Sequence, residues 1–224
     1  MSTKLKIAAA VAAAVLLSAC SSPKHEPMPL VKFTPSMEVT EVWSKGLSSA
    51  EGFLVPAVYD DMVFAAGGKT LTRLNARTGE TEWSVSFNSP ITGGVGSDGY
   101  VTAVGLWDGN LEVVDAEGKV SWEKKLTTEL ASPPVVSHGL VIARTMDTRV
   151  SAFEASSGEL QWTYQRSQPA LTVRLPTRML AHDNFLLVGQ PNGHIVILDI
   201  ASGKPMFEFQ VAQAKGVTEV ERLV

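Results

Sequence analysis

Short apolar runs and polar breaks alternate along most of this chain, and the breaks consist of Gly, Asp, Asn and Thr. Runs rich in Val, Ile, Leu and Thr between such breaks are typical of β-strands. The run at 195–198, Ile-Val-Ile-Leu, is apolar without alternation. A strand of that kind is buried on both faces, as in a structure of stacked sheets. The pattern therefore predicts an all-β protein.

A repeat is marked by a glycine that is followed four positions later by an aromatic residue. The pairs are Gly79 and Trp83, Gly118 and Trp122, Gly158 and Trp162, and Gly203 and Phe207. Their aromatic residues are 39, 40 and 45 positions apart. A period of about 40 residues of strand and turn is typical of a β-propeller with four-stranded blades. We expect each glycine to adopt a positive φ and each aromatic ring to pack on the next blade.

The repeats are expected at about 50–88, 89–127, 128–166 and 177–212. The predicted strands are 54–59, 62–66, 71–75 and 81–87; 91–95, 100–104, 111–115 and 120–125; 132–136, 140–144, 149–154 and 160–165; and 178–181, 184–188, 194–199 and 205–211. Trp43 lies 40 residues before Trp83 and fits the outer strand of a further repeat that lacks its other strands. Residues 37–224 are therefore interpreted as a partial propeller, the N-terminal part of a longer protein.

Residues 1–19 have the features of a signal peptide: Lys4 and Lys6, an apolar run, and small residues at the end. The sequence Leu17-Ser18-Ala19-Cys20 resembles the bacterial lipobox, which implies that Cys20 is lipidated and becomes the mature N-terminus. The alternative is an ordinary signal peptide with a chance cysteine. Ser21 resembles the sorting pattern for the outer membrane. The Pro-rich segment up to residue 36 is expected to be a tether.

The net charge argues against a nucleic-acid partner. The whole chain carries a formal charge of −4, and removal of the signal leaves 17 basic and 23 acidic side chains. Neither a basic run nor a basic patch stands out in the sequence. Proteins that bind nucleic acid rely on such patches.

The segment Leu74-Asn75-Ala76-Arg77-Thr78-Gly79-Glu80-Thr81-Glu82-Trp83 resembles the tryptophan-docking repeat of quinoprotein dehydrogenases and their non-catalytic relatives. Together with the lipobox, the chain is similar to the BamB family of outer-membrane assembly lipoproteins. The segments 169–174 and 216–223 also resemble that family. The resemblance implies eight blades, about four of them present here. It also implies no enzymatic activity, no cofactor, a place on the periplasmic face of the outer membrane, and binding to the POTRA domains of BamA.

The same resemblance implies that Leu171, Val173 and Arg174 contact the partner. An alternating apolar, polar, apolar, Arg segment outside the repeats could also pair with the edge of a partner strand. The alternative is a buried connection between blades with Arg174 in solvent. The family uses an acidic pair shortly after the segment that matches Arg222-Leu223, and this chain ends before that pair.

The sequence leaves two other classes of function open. A quinoprotein dehydrogenase would share the repeat, but the chain lacks an adjacent cysteine pair and a recognisable set of calcium ligands. A generic periplasmic binding propeller would share everything except the 171–174 segment. No metal site is expected, because the four histidines have no ligand-like spacing.

Overall fold

The computed structural model describes residues 37, 39–49, 53–166, 177–190 and 192–211. The chain divides into two units, Met1–Thr40 and Glu41–Val224. The few described residues of the first unit belong to no helix or strand. The described part of the second unit contains 17 strands and no helix. The prediction of an all-β propeller fold is therefore confirmed.

The strands form four blades in chain order, each with four antiparallel strands, and β1 (Phe53–Leu54) adds a fifth, parallel strand to the sheet of blade 2. Strand β1 precedes blade 1, which contains β2 (Ala57–Tyr59), β3 (Met62–Gly67), β4 (Thr70–Asn75) and β5 (Thr81–Ser86). Blade 2 contains β6 (Ile91–Ser97), β7 (Thr102–Leu106), β8 (Asn110–Val114) and β9 (Val120–Lys125). Blade 3 contains β10 (Val135–Ser137), β11 (Leu140–Arg144), β12 (Val150–Glu154) and β13 (Leu160–Tyr164). Blade 4 contains β14 (Leu180–His182), β15 (Phe185–Gly189), β16 (His194–Asp199) and β17 (Pro205–Gln210).

Two predicted strands are wrong in their extent, and proline is the reason in both. The single strand predicted at 54–59 is broken at Pro56, which has no N–H to donate to a ladder. Its first half, β1, pairs in parallel with β6 of blade 2, and only the second half belongs to blade 1. The strand predicted at 132–136 begins at Val135, after two prolines. The other predicted strands are present, with ends shifted by at most two residues.

Tryptophan docking links each blade to the next. The indole Nε1 donates to a backbone carbonyl in the next turn: Trp83 to Ala116 at 2.9 Å, Trp122 to Ala155 at 2.8 Å and Trp162 to Ile200 at 2.8 Å. The ring lies against the glycine of the same turn. At Gly118, φ is 83° and a Cβ would lie 2.8 Å from Trp83 Cδ2, so both the backbone and the ring exclude a side chain.

Two aromatic positions depart from the expectation. Trp43 docks on blade 1 by donating to the Ala76 carbonyl at 2.8 Å, but residues 39–49 form no strand. The phenyl ring of Phe207 has no N–H to donate, and the residue is 60% exposed. In the part of the chain that the structure describes, no blade follows it.

Each outer strand carries one extra residue immediately before its docking aromatic. These bulged residues are Glu82, Ser121, Gln161 and Met206. A β-bulge increases the local twist of a strand and re-aims the next side chain. In blades 1 to 3 the bulge therefore turns the tryptophan ring toward the next blade. The apolar residues between blades then form three separate cores, one at each junction.

Candidate functional site

One edge of the blades carries both the connections between blades and the turns between second and third strands. We call this edge the connection face; it comprises residues 68–69, 87–90, 107–109, 126–134 and 145–149. Backbone hydrogen bonds tie each connection to a turn: Ile91 N to Gly68 O at 2.8 Å, Trp107 N to Pro90 O at 2.8 Å and Met146 N to Glu129 O at 3.0 Å. Backbone hydrogen bonds thus hold the connections and the turns of this face together.

The predicted functional residues themselves, Cys20, Leu171, Val173 and Arg174, lie outside the described residues. The connection between β13 and β14, residues 165–179, leaves from the connection face. Its two ends are described, at 165–166 and 177–179. We call these ends the first and second roots of the 165–179 connection.

The second root is held by a buried arginine. Arg144 is the last residue of β11 and is 1% exposed. Its Nη1 donates to Thr177 Oγ1 at 2.8 Å. Met179, two residues further on, is buried in the core between blades 3 and 4. A guanidinium is kept in such a place only when hydrogen bonds compensate for its lost hydration.

The first root is held by an ion pair between blades 3 and 4. Arg166 Nη1 lies 2.5 Å from Glu208 Oε1, and His194 Nδ1 lies 2.9 Å from the same oxygen. The hydrogen bond to Glu208 raises the pKa of Arg166 above its ordinary value. Burial raises the pKa of the Tyr164 phenol, and the positive charge of Arg166 only partly offsets it. The root is therefore a charged cluster that spans the junction.

An exposed tryptophan lies on the connection face. Trp107 occupies the turn between β7 and β8 and is 60% exposed, although its own backbone N–H is bonded. The turn is fixed further by Asn110 N, which donates to Asp108 Oδ1 at 3.0 Å. A large ring held in solvent on a fixed turn is typical of protein interfaces.

A polar cluster joins blades 2 and 3 on the same face. Asp147 accepts from Thr145 Oγ1 at 2.5 Å and from Thr127 Oγ1 at 3.0 Å, and Arg149 Nε lies 3.9 Å away. Partial burial by itself would raise the pKa of Asp147, but the hydrogen bonds from the two hydroxyls and from the Arg149 backbone, together with the Arg149 charge, lower that pKa. The cluster therefore holds a carboxylate and fixes the turn at 145–149.

Neither metal ligation nor a membrane span is found in the described ranges. No group of three His, Cys, Asp or Glu side chains there could hold a metal ion. No helix among those residues is long and apolar enough to cross a bilayer.

A family profile described as "Outer membrane protein assembly factor BamB" matches residues 67–224. The chain belongs to the BamB family. It is 38% identical over 221 residues to the BamB of Burkholderia pseudomallei (strain K96243), covering 96% of this chain and 58% of that relative. The chain thus spans about half the length of the curated relatives that it matches.

Solved structures agree with the assignment to the BamB family. The crystal structure of BamB from Moraxella catarrhalis matches with a TM-score of 0.63 and 27% identity, over 75% of this chain and 51% of that one. A quinohemoprotein alcohol dehydrogenase from Comamonas testosteroni matches with a TM-score of 0.57 and 19% identity, over 75% of this chain and 36% of that one. The second likeness shows the shared fold alone.

Sequence reasoning missed Arg144, Glu208 and Trp107. Glu208 and Arg144 lie inside strands whose pattern gives no sign of a distant partner. Trp107 could have been singled out from the sequence, because it is the one Trp in the chain that lies outside the 40-residue repeat.

Proposed function

We propose that the protein is a non-enzymatic scaffold of the outer-membrane β-barrel assembly (Bam) complex, which binds the periplasmic POTRA domains of BamA. The observation that carries the proposal is the match of residues 67–224 to a family of outer membrane protein assembly factors.

The contact is assigned to Leu171, Val173 and Arg174 in the 165–179 connection. Two features of the neighbouring residues support a binding role for this region. Its roots are anchored to both flanking blades, and the same face presents the exposed Trp107. Arg and Trp are enriched among the residues that dominate interface energies.

Lipidation of Cys20 would hold the scaffold at the periplasmic face of the outer membrane. Acyl chains on one residue add roughly 0.8 kcal/mol of membrane affinity for each buried CH₂ group. Cys20→Ala should therefore leave a folded, unlipidated precursor that is lost from the washed outer-membrane fraction. If the variant stays with the outer membrane after a high-salt wash, the anchor lies elsewhere.

The rival enzymatic function receives no specific support. The likeness to a quinohemoprotein dehydrogenase, at 19% identity, extends to the fold and not to a site. A generic periplasmic binding propeller is distinguished from the proposed scaffold by its partner alone. The decisive experiment therefore measures binding to BamA.

Calorimetric titration of the full-length protein with the BamA POTRA domains tests the contact. Arg174→Glu reverses one charge in the proposed contact and should weaken the affinity at least about tenfold, a change of roughly 1.4 kcal/mol, with an unchanged melting curve. Arg77→Glu is the matched control. Arg77 is 77% exposed on the opposite edge of blade 1, and its pair with Asp61 should contribute little to stability.

Three results would count against the assignment. If both variants bind like the wild type and remain folded, the 171–174 segment does not form the contact. If Arg174→Glu unfolds the protein, Arg174 is a structural residue of a buried connection. If the wild type does not bind the POTRA domains at all, a generic binding propeller is the better description.

A further inference from the structure

One outer-strand position differs in chemistry between the blades. It lies two residues after the docking aromatic and is occupied by Val85, Lys124, Tyr164 and Phe209 in blades 1 to 4. Side chains of a strand alternate between its two faces, so this residue lies on the same face as the aromatic. Val85 and Tyr164 pack against the cores at their junctions. Among the four described blades, only blade 2 therefore directs a cation from this position toward its neighbour.

A groove lies between blades 2 and 3 beside this lysine. Its volume is about 290 Å³, and its apolar lining includes Ala143, Phe153 and Leu160. Lys124 lines the groove from blade 2, and this side chain is exposed and forms no ion pair with the residues that the structure describes. The position that packs on a core in blades 1 and 3 thus borders a groove in blade 2.

Blade 3 contributes a second cation to the same groove. Arg149, immediately before β12, lies on the same face of that strand as Ser151 and Phe153. Its Nε is buried and has no hydrogen-bond acceptor among the described residues. The carboxylate of Asp147 lies 3.9 Å from that Nε and already accepts from two threonine hydroxyls. Arg149 therefore keeps part of its five-donor capacity for a further anion.

The charge of the groove is opposite in sign to that of the whole chain. Lys124, Lys125 and Arg149 line the groove, and none of the described residues that line it is acidic. Lys125 donates from Nζ to the backbone carbonyl of Asp108, which is a neutral acceptor. The chain as a whole carries a formal charge of −4. Cations that line one concave, partly apolar site attract anionic ligands to it.

We infer that this groove binds an extended segment of a partner protein in which an acidic and an apolar side chain are two positions apart. In an extended peptide such side chains point to the same side. The carboxylate would meet Lys124 and Arg149, and the planar guanidinium matches a carboxylate well. The apolar side chain would lie on Phe153 and Leu160. A volume of about 290 Å³ is near the lower limit for ligand sites, so it suits two side chains.

Fluorescence anisotropy with a blocked, dye-labelled peptide tests the inference, which goes beyond the proposed function and does not depend on it. The probe is Ser-Glu-Thr-Leu-Ser, and the full-length protein without acyl chains is titrated into it. A second peptide carries Gln in place of Glu. We expect the Glu peptide to bind at least about fivefold more tightly than the Gln peptide at low salt. The difference should shrink at high salt, which screens the charges.

Variants of the two cations locate the site. Lys124→Glu and Arg149→Glu should each weaken binding of the Glu peptide about fivefold to tenfold. Lys124→Val introduces the residue type that blade 1 carries, so it should preserve the fold and remove most of the preference for Glu over Gln. If Arg149→Glu fails to fold, the two variants at position 124 still test the groove.

Lys119→Glu is the matched control. It makes the same change of charge at an exposed residue on the opposite edge of blade 2, and it should leave the affinity unchanged. A melting curve of each variant checks that it is folded. Loss of binding that is confined to positions 124 and 149 supports the inference.

Four results would overturn the inference. The Glu and Gln peptides bind equally, so the groove does not recognise charge. Lys119→Glu weakens binding as much as Lys124→Glu, so the effect is one of net charge. The Glu peptide does not bind the wild type even at millimolar concentration. Vesicles that contain phosphatidylglycerol bind through Lys124 and Arg149 while the peptide does not, so the groove meets an anionic membrane surface instead of a peptide.

Discussion

At the scale of single residues, Glu112 is unfavourable at its buried position in blade 2. It is 6% exposed on β8, directly opposite Glu123 of β9. Burial raises its pKa to about 7, and the negative charges of Glu123 and Asp108 add to that effect. Blades 1 and 3 place neutral hydroxyl pairs at the equivalent position. Blade 2 therefore stabilises the protonated form of a carboxyl group.

This carboxyl group predicts a pH dependence of stability. The pKa of Glu112 is higher in the folded protein than the ordinary 4.5, so the folded state binds the proton more tightly. The stabilising contribution is present below pH 4.5 and is lost as the pH rises through about 7. A raised pKa of this size corresponds to a loss of roughly 3 kcal/mol in the free energy of unfolding between those two pH limits.

Denaturant unfolding at pH 5 and at pH 8 measures the effect. Glu112→Gln should remain neutral and should be the more stable protein at pH 8. It should lose less stability than the wild type between the two pH values. Glu117→Gln, at an exposed turn position, serves as the control and should follow the wild type. Equal pH dependence in all three proteins would show that Glu112 ionises in the folded state without cost.

At the scale of elements, the blades are joined by a repeated contact rather than by a continuous sheet. Each docked indole contributes both ring packing and one hydrogen bond to the next turn. Trp162 is the most buried of the docking residues, at 9% exposure. Its hydrogen bond to Ile200 O can therefore be removed with little change in exposure.

Trp162→Phe separates the hydrogen bond from the ring. The phenyl group retains much of the packing but leaves the Ile200 carbonyl without its donor, which costs about 1–3 kcal/mol for a buried group. Trp162→Ala should cost more, about 3–5 kcal/mol. Thermal melts of both variants check these values against Tyr100→Phe, which changes a 72% exposed ring and should have almost no effect. If Trp162→Phe melts at the same temperature as the wild type, the docking energy comes from packing alone.

At the scale of the whole molecule, the fold could be predicted because its signals are local. The spacing of Gly118 and Trp122 reports one turn and one outer-strand aromatic, and this spacing occurs four times in the chain. The errors occur where the partner of a segment is not local. Prolines redirected β1 to another blade, and the contacts of Arg144 and Arg166 reach partners 33 and 42 residues away. The 171–174 assignment came from resemblance, and periodicity could not supply it.

The central claim is that the protein is a scaffold whose connection face meets BamA. Photo-crosslinking in cells tests it most directly, with p-benzoylphenylalanine replacing Val173, Trp107 or Glu117 one at a time. Glu117 lies on an exposed turn at the opposite edge and serves as the control. The account predicts crosslinks to BamA from positions 173 and 107 and none from position 117. Crosslinks from 117 alone, or none from 173 while the protein is folded and anchored, would contradict it.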